Sequence, residues 1–206
     1  MVNKVNRITQ LLKYLEPEEK EEFISLQAAH TPIWVPLPGP QMEAYNCQAD
    51  VLFYGGSAGG GKTDLLLGCA LTQHYHSIIF RRQSTQLLGI QNRLLDEILK
   101  SRKNWNGQDD ILRQPDGRQI EFRSCNIAGD ENKYQGRPHS LKGFDEITHF
   151  LESQFRFLMG WKRATVIGER QRIIATGNPP TDAEGEWIIQ YWGPWLDRNH
   201  PNPAIP

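Results

Sequence analysis

From Val51 onward, short apolar runs alternate with longer stretches in which apolar residues recur every three or four positions. Val51-Leu52-Phe53-Tyr54 reads as a strand near 51–54, and Leu65-Leu66-Leu67 belongs to a helix over about 62–74, with a glycine-rich turn between them. Ile78-Ile79-Phe80 predicts a second strand near 77–81, and the stretch 86–100 has the periodicity of an amphipathic helix. Strand, helix, strand, helix is the order of a parallel α/β sheet. Asp116-Gly117, lying between Ile111-Leu112 and Ile120-Glu121-Phe122, predicts a hairpin within 105–125. A polar loop follows, then short strands near 140–144 and 171–176, with helical or mixed segments near 151–160 and 184–192.

Ahead of this core, Ile8, Leu11, Leu12 and Leu15 recur at helical spacing, and Pro17-Glu18-Glu19 reads as the first turn of a second helix with Phe23, Ile24 and Leu26 on its apolar side. The stretch Thr31 to Pro40 holds four prolines and a glycine, which forbids regular structure and marks an ordered linker leading to Gln41. The tail from His200 to Pro206 is equally proline-rich and reads as a second linker. The expected division is a helical arm and linker over 1–37, an α/β domain over 38–198, and the start of a linker over 199–206.

Composition narrows the class. With 206 residues, 38% hydrophobic, including six tryptophans and eight phenylalanines, the chain can fill one core and is not compositionally disordered. Its apolar runs fall far short of the roughly 20 residues of a membrane helix. Residues 1–10 lead into no apolar signal stretch. Cys47, Cys69 and Cys125 match neither a disulfide framework nor a zinc pattern. His74 and His76, two apart, fall on different faces of a helix and read as surface residues. A net charge of −1 argues mildly against a nucleic-acid partner, whose phosphates are usually held by a basic surface.

Chemistry enters at Gly56, Ser57, Ala58, Gly59, Gly60, Gly61, Lys62 and Thr63, which fit G-x-x-x-x-G-K-[ST] at every specified position, with Asp64 next in line. The glycines allow backbone N–H groups to turn inward around a phosphate, and the following helix adds its positive end. Lys62 is expected to reach the β- and γ-phosphates of ATP and the Thr63 hydroxyl to bind Mg2+. Hydrolysis also needs carboxylates, and Asp145-Glu146 supplies an adjacent pair after a short strand. Asp145 would be the metal-side residue, through water, and Glu146 the base that activates the attacking water. The preceding Leu141-Lys142-Gly143 is less apolar than such a strand usually is. Downstream, Thr176-Gly177-Asn178 ends an apolar strand, where ligands of open α/β sheets sit.

Taken in order, Tyr54 to Thr63, Phe80-Arg81-Arg82, Tyr134-Gln135-Gly136, Gly143 to Phe150 and Ala175 to Pro179 resemble the ATPase half of the large terminase subunit of tailed bacteriophages, over about Pro38 to Trp195. The resemblance implies a P-loop NTPase fold of the RecA/ASCE type, with a mainly parallel sheet flanked by helices. It implies a motor that uses ATP to translocate double-stranded DNA into a procapsid, as a homo-oligomeric ring docked transiently on the portal protein and served by the small terminase subunit. It would act in the cytoplasm of the infected host, without a membrane partner. Gln41 matches the family's adenine-contacting glutamine, and Thr176, Gly177 and Asn178 match the motif that couples hydrolysis to movement.

Two departures stand out. Asp182, Glu184, Glu186 and Asp197 are too few to build the family's nuclease domain, so these residues are expected to form the ATPase domain alone. Relatives often carry an arginine near positions 57 and 58, where this chain has Ser57 and Ala58. An arginine finger from a neighbouring subunit is the expected substitute, with Arg137 and Arg163 as candidates. Arg81-Arg82, Arg93 with Lys100, Arg102 and Lys103, and Lys162-Arg163 are candidates for a local basic track along DNA. A P-loop small-molecule kinase, a helicase-like or clamp-loader-like ATPase, and a scaffold that binds nucleotide without hydrolysing it share the loop and remain open.

Overall fold

The computed structural model describes residues 14–22, 32–164, 166–197 and 199–201. The chain divides into two compact units, Met1–Ile33 and Trp34–Pro206. In the first, residues 17–22 are helical, as Pro17-Glu18-Glu19 predicts, and Leu15 sits in a bend. Ile8, Leu11, Leu12, Phe23, Ile24 and Leu26 lie outside the described residues, as do 202–206 of the tail.

The second unit runs α1 (Pro40–Asn46), β1 (Val51–Gly55), α2 (Lys62–Thr72), β2 (His76–Arg81), α3 (Leu87–Asn92), β3 (Trp105–Asn106), β4 (Ile111–Arg113), β5 (Gln119–Ser124), β6 (Leu141–Phe144), α4 (Glu152–Met159), β7 (Arg172–Gly177) and α5 (Glu186–Leu196). A π-helical stretch, Arg93–Ile98, prolongs α3. The strands form one seven-stranded sheet in the order β1-β7-β6-β2-β5-β4-β3. The pairs from β1 through β7, β6 and β2 to β5 are parallel, and β4 and β3 add an antiparallel edge. The hairpin turns at Asp116-Gly117, where Gly117 takes φ 91°. Three elements exceed the sequence expectation. Pro40 opens α1 inside the stretch read as linker, where its missing N–H costs nothing in the first turn. Trp105–Asn106 forms β3, and α5 runs on through Pro194 to Leu196.

Side chains alternate across the sheet, so β1, β7, β6 and β2 each feed two cores. Ile79, Phe122, Leu141 and Ile174 pack on one face with α2 and α3, through Leu66, Leu67, Ile90 and Leu94. Ile78, Phe80, Phe144, Ile173 and Ala175 pack on the other with α4 and α5, through Phe155, Leu158, Trp187 and Trp192. Gly143 contributes to the weakly apolar look of β6. A Cβ there would lie 2.6 Å from Ile79 Cδ1 on β2 and 3.2 Å from Leu66 Cδ2 on α2, so a larger residue would force these packed side chains to shift.

Two polar side chains are buried where the sequence suggested surface or gave no reason for burial. His74 is 1% exposed, which corrects its reading as a surface histidine. It lies in the turn after α2 rather than on a helix face, and its Nδ1 meets Ser140 Oγ at 3.3 Å. Burial first, then the nearby Arg172 charge, pushes its pKa down to about 3, so it stays neutral. Lys142 on β6 is fully buried, and its Nζ has no hydrogen-bond partner. Burial pushes its pKa down from 10.5 to about 8. The three cysteines are free thiols, and burial raises Cys69 and Cys125 to about 12, which keeps both unreactive.

Below pH 8 Lys142 is charged in both folded and unfolded chains, and holding that charge in the core costs the fold about 3 kcal/mol. Between pH 8 and 10.5 the folded chain releases this proton first, so the unfolded chain binds more protons and the cost fades as pH rises. Lys142→Met is therefore expected to be the more stable protein at pH 7, with its advantage over the parent shrinking across that window. Chemical denaturation at pH 7, 9 and 10.5 measures the gap, and a gap independent of pH would contradict the assignment.

Candidate active site

The phosphate loop leaves β1 and enters α2. Gly56, Gly59 and Gly61 take φ of 145°, 83° and 67°, backbone conformations that glycine adopts without penalty. The loop is anchored from three directions. Gly56 N–H donates to the Gly177 carbonyl at 3.3 Å, joining it to the end of β7. Tyr54 Oη donates to the Gly60 carbonyl at 3.1 Å. Gln41, 4% exposed on α1, donates from Nε2 to the Gly61 carbonyl at 2.8 Å and accepts from Leu37 N–H at 2.6 Å. Gln41 thus lies against the loop itself, as a brace between α1 and the start of α2. Lys62 Nζ donates to the carbonyls of Gly56 and Ser57 at 3.0 and 2.7 Å, so its ammonium sits over the loop's opening turn.

The acidic pair stands where β6 ends. Asp145 is 1% exposed, and its carboxylate is held on every side. Oδ1 accepts from Thr63 Oγ1 at 3.1 Å and Thr176 Oγ1 at 2.9 Å, and Oδ2 accepts from Arg81 Nε at 2.7 Å and Nη2 at 2.5 Å. The loop, β6, β7 and β2 therefore converge on one carboxylate. Glu146 adopts a left-handed backbone, φ 55° and ψ 60°, uncommon for a non-glycine residue and costly unless the surroundings enforce it. That turn separates its side chain from that of Asp145 and directs it to the cavity over the loop.

The cavity, about 340 Å³, is lined by Ala58 through Asp64 together with Arg93, Glu146 and Asn178. Asn178 Oδ1 is buried without a hydrogen-bond partner. An orphaned acceptor beside Lys62 and Glu146 fits a site that takes a polar ligand. The same is true of the Thr63 and Asp145 oxygens, hard donors 3.1 Å apart of the kind Mg2+ prefers. Thr63, Asp145, Glu146, Lys62 and Asn178, widely spaced in sequence, are thus brought together, with Thr176 and Gly177 directly beneath them.

Other expected residues lie elsewhere. Arg163 N–H donates to the His139 carbonyl, just ahead of β6 and at the end of the sheet opposite Asp145. Arg137 lies beside it and pairs with Glu121 at 3.3 Å. Within one chain neither arginine approaches the loop. Four arginines of the expected basic track are engaged as well. Arg81 holds Asp145, Arg82 binds the Cys125 carbonyl and Gln154, Arg93 binds Asp64 and Glu97, and Arg102 binds Asp96. Arg93 in the cavity was not anticipated, because nothing local in the sequence shows that α3 packs its arginine against the residue after Thr63.

A glycine-rich loop on the first strand of a doubly covered parallel sheet, with carboxylates at the end of the third strand along, defines a phosphate-loop α/β fold. Residues 53–206 match the family described as "Terminase large subunit, T4likevirus-type, N-terminal", and the chain belongs to that family. No curated protein matches it. Among solved structures, the large terminase of a thermophilic bacteriophage is similar at 17% identity and a TM-score of 0.48, over 68% of this chain and 38% of that one. The HK97 bacteriophage large terminase is similar at 14% identity and a TM-score of 0.47, over 69% of this chain and 33% of that one. The chain thus spans well under half the length of these relatives.

The loop's construction separates two glycines. A Cβ on Gly61 would run into the Gln41 amide, whereas one on Gly59 would meet nothing within 4 Å. Both substitutions force a left-handed alanine at about 1–3 kcal/mol, but Gly61→Ala also displaces Gln41. Thermal unfolding should show Gly61→Ala as clearly less stable than Gly59→Ala, and equal melting temperatures would contradict the brace.

Proposed function

We propose that this domain is a Mg2+-dependent ATPase, the motor part of a terminase large subunit that drives double-stranded DNA into a procapsid. The observation that carries the reading is the convergence of Lys62, Thr63, Glu146 and Asn178 on one cavity at the carboxyl ends of the strands, with Asp145 buried behind it and bonded to Thr63. In this reading Lys62 leaves the Gly56 and Ser57 carbonyls for the β- and γ-phosphates, and the backbone N–H groups of 59–63 surround them. Thr63 and, through water, Asp145 hold Mg2+, which neutralises phosphate charge when bound. Glu146 takes the proton of the attacking water. Gln41 keeps one amide N–H and one oxygen lone pair beyond its two bonds, and these serve adenine. Thr176 bonds directly to Asp145, so a change at the metal side is passed to β7 and to Gly177 and Asn178, the proposed coupling segment.

The wider setting follows the family. The domain would work as a homo-oligomeric ring on the portal protein with the small subunit, in the cytoplasm of the infected host, gripping DNA without sequence preference and with strong salt dependence. Since Arg137 and Arg163 lie away from the loop of their own chain, a neighbour must deliver either one. Turnover should then rise more steeply than first order with protein concentration, and Arg137→Ala chains should poison a mixture. Strictly first-order turnover, unaffected by mixing, would remove both arginines from the reaction.

Lys62→Ala is expected to abolish ATP hydrolysis. Glu146→Gln should bind ATP with unchanged affinity while losing turnover by about 100-fold or more. Measuring nucleotide affinity and phosphate release on both variants tests the assignment. Full turnover in Glu146→Gln would redirect it to phosphoryl transfer onto a small-molecule acceptor.

A further inference from the structure

The loop has no arginine at Ser57 or Ala58, and Arg137 and Arg163 stand at the other end of the sheet. The structure nevertheless brings a guanidinium into the cavity. Arg93 lines it together with Lys62, Glu146 and Asn178, and it sits where α3 passes from α-helical to π-helical turns. Such local widening of a helix is frequent at functional sites. Nε and Nη2 of Arg93 bind the two oxygens of Asp64 at 2.7 and 2.6 Å, and Nη1 binds Glu97.

Asp64 follows Thr63, so this fork is docked beside the residue expected to hold the metal. A neighbouring cavity of about 280 Å³, lined by Thr63, Asp64, Arg81 and Arg93 among others, continues behind it. Each of the two carboxylates flanking Thr63 thus carries an arginine from the β2–α3 segment. The pairs differ in depth. Arg81 is 19% and Asp145 1% exposed, whereas Arg93 is 40%, Asp64 22% and Glu97 58% exposed. Solvent reaches the Arg93 pairs and screens them, unlike the Arg81 pair, so Arg93 is free to exchange its carboxylate for a more highly charged oxyanion. Arg81 is not, because leaving would strand a buried carboxylate.

We infer that Arg93 is a catalytic arginine supplied within the chain, which moves from Asp64 to the γ-phosphate of a bound nucleoside triphosphate. The inference rests on the ATPase reading and names a residue that reading lacks. In the reaction the water oxygen bonds to the γ-phosphorus, and its proton goes to Glu146. The bond from that phosphorus to the bridging oxygen breaks, with the electron pair left on the β-phosphate of ADP. Arg93 donates to the equatorial oxygens while this charge is spread over them. ADP lacks those oxygens and leaves Arg93 on Asp64.

The test compares Arg93→Ala and Arg93→Lys with the parent chain, by titrating ADP and a non-hydrolysable ATP analogue and by measuring phosphate release. Arg93→Ala should bind the analogue about tenfold more weakly and ADP within about twofold, with turnover down on the order of 100-fold. Arg93→Lys, which keeps a charge but not the fork, should recover part of both losses. If Arg93 merely clamps Asp64, Arg93→Ala will weaken ADP and the analogue equally, or neither, and the inference falls. A parent chain that binds the analogue and ADP while Lys62→Ala binds neither keeps the ATPase reading standing even then. A parent chain that binds neither nucleotide overturns the reading and the inference together.

Discussion

The Asp145 carboxylate is the point on which the rest of the site depends. At this depth an ionised group without partners would cost several kcal/mol. The fold meets that cost by directing four polar contacts at it, from Thr63, Thr176 and two nitrogens of Arg81. Each partner comes from a different element, so satisfying the carboxylate also fixes where α2 begins and where β7 and β2 end relative to β6. Below them Gly143 leaves room for Leu66 of α2 and Ile79 of β2 to pack over β6. The site is therefore precise because a buried carboxylate recruits its own scaffold.

Much of this was legible in the sequence because it is local. The strand, loop and helix around Lys62, the hairpin at Asp116-Gly117 and the polar ending of β7 follow from runs of a few residues whose spacing sets their geometry. What was not legible depends on which distant residues meet. Arg81 and Arg93 read as parts of a basic surface, yet each is claimed by a carboxylate beside Thr63. His74 reads as a helix-surface residue, but α2 stops at Thr72 and the turn carries it under Ser140. Gln41 stands at the end of a proline-rich stretch, and Pro40 opens α1 as a first-turn residue rather than breaking it. Lys142 made β6 look doubtful as a central strand, and the fold carries it there fully buried, at a cost in stability while the ammonium is charged.

The pairing also changes how the net charge of −1 should be understood. An arginine bound to a buried carboxylate contributes little field at the surface, so counts of basic residues say less than their partners do. The acids nearest the loop are likewise balanced locally, Asp145 by Arg81 and Asp64 by Arg93. A polyphosphate approaching this cavity meets Lys62 and backbone N–H groups, and among the carboxylates lining it Asp64 is paired while Glu146 is not. Near-neutral totals are thus compatible with a surface that is sharply differentiated from place to place.

Gln41 carries a mechanical consequence. Its amide spans the Leu37 N–H at one end and the Gly61 carbonyl at the other, and both bonds are short and shielded. The amide is a rigid planar strut with no slack in it. Displacement of the chain at Leu37 therefore travels directly into the last peptide of the phosphate loop, and repositioning of that peptide is felt at Leu37. The entry to the domain and the rim of its cavity form one lever, with Gln41 as the linkage.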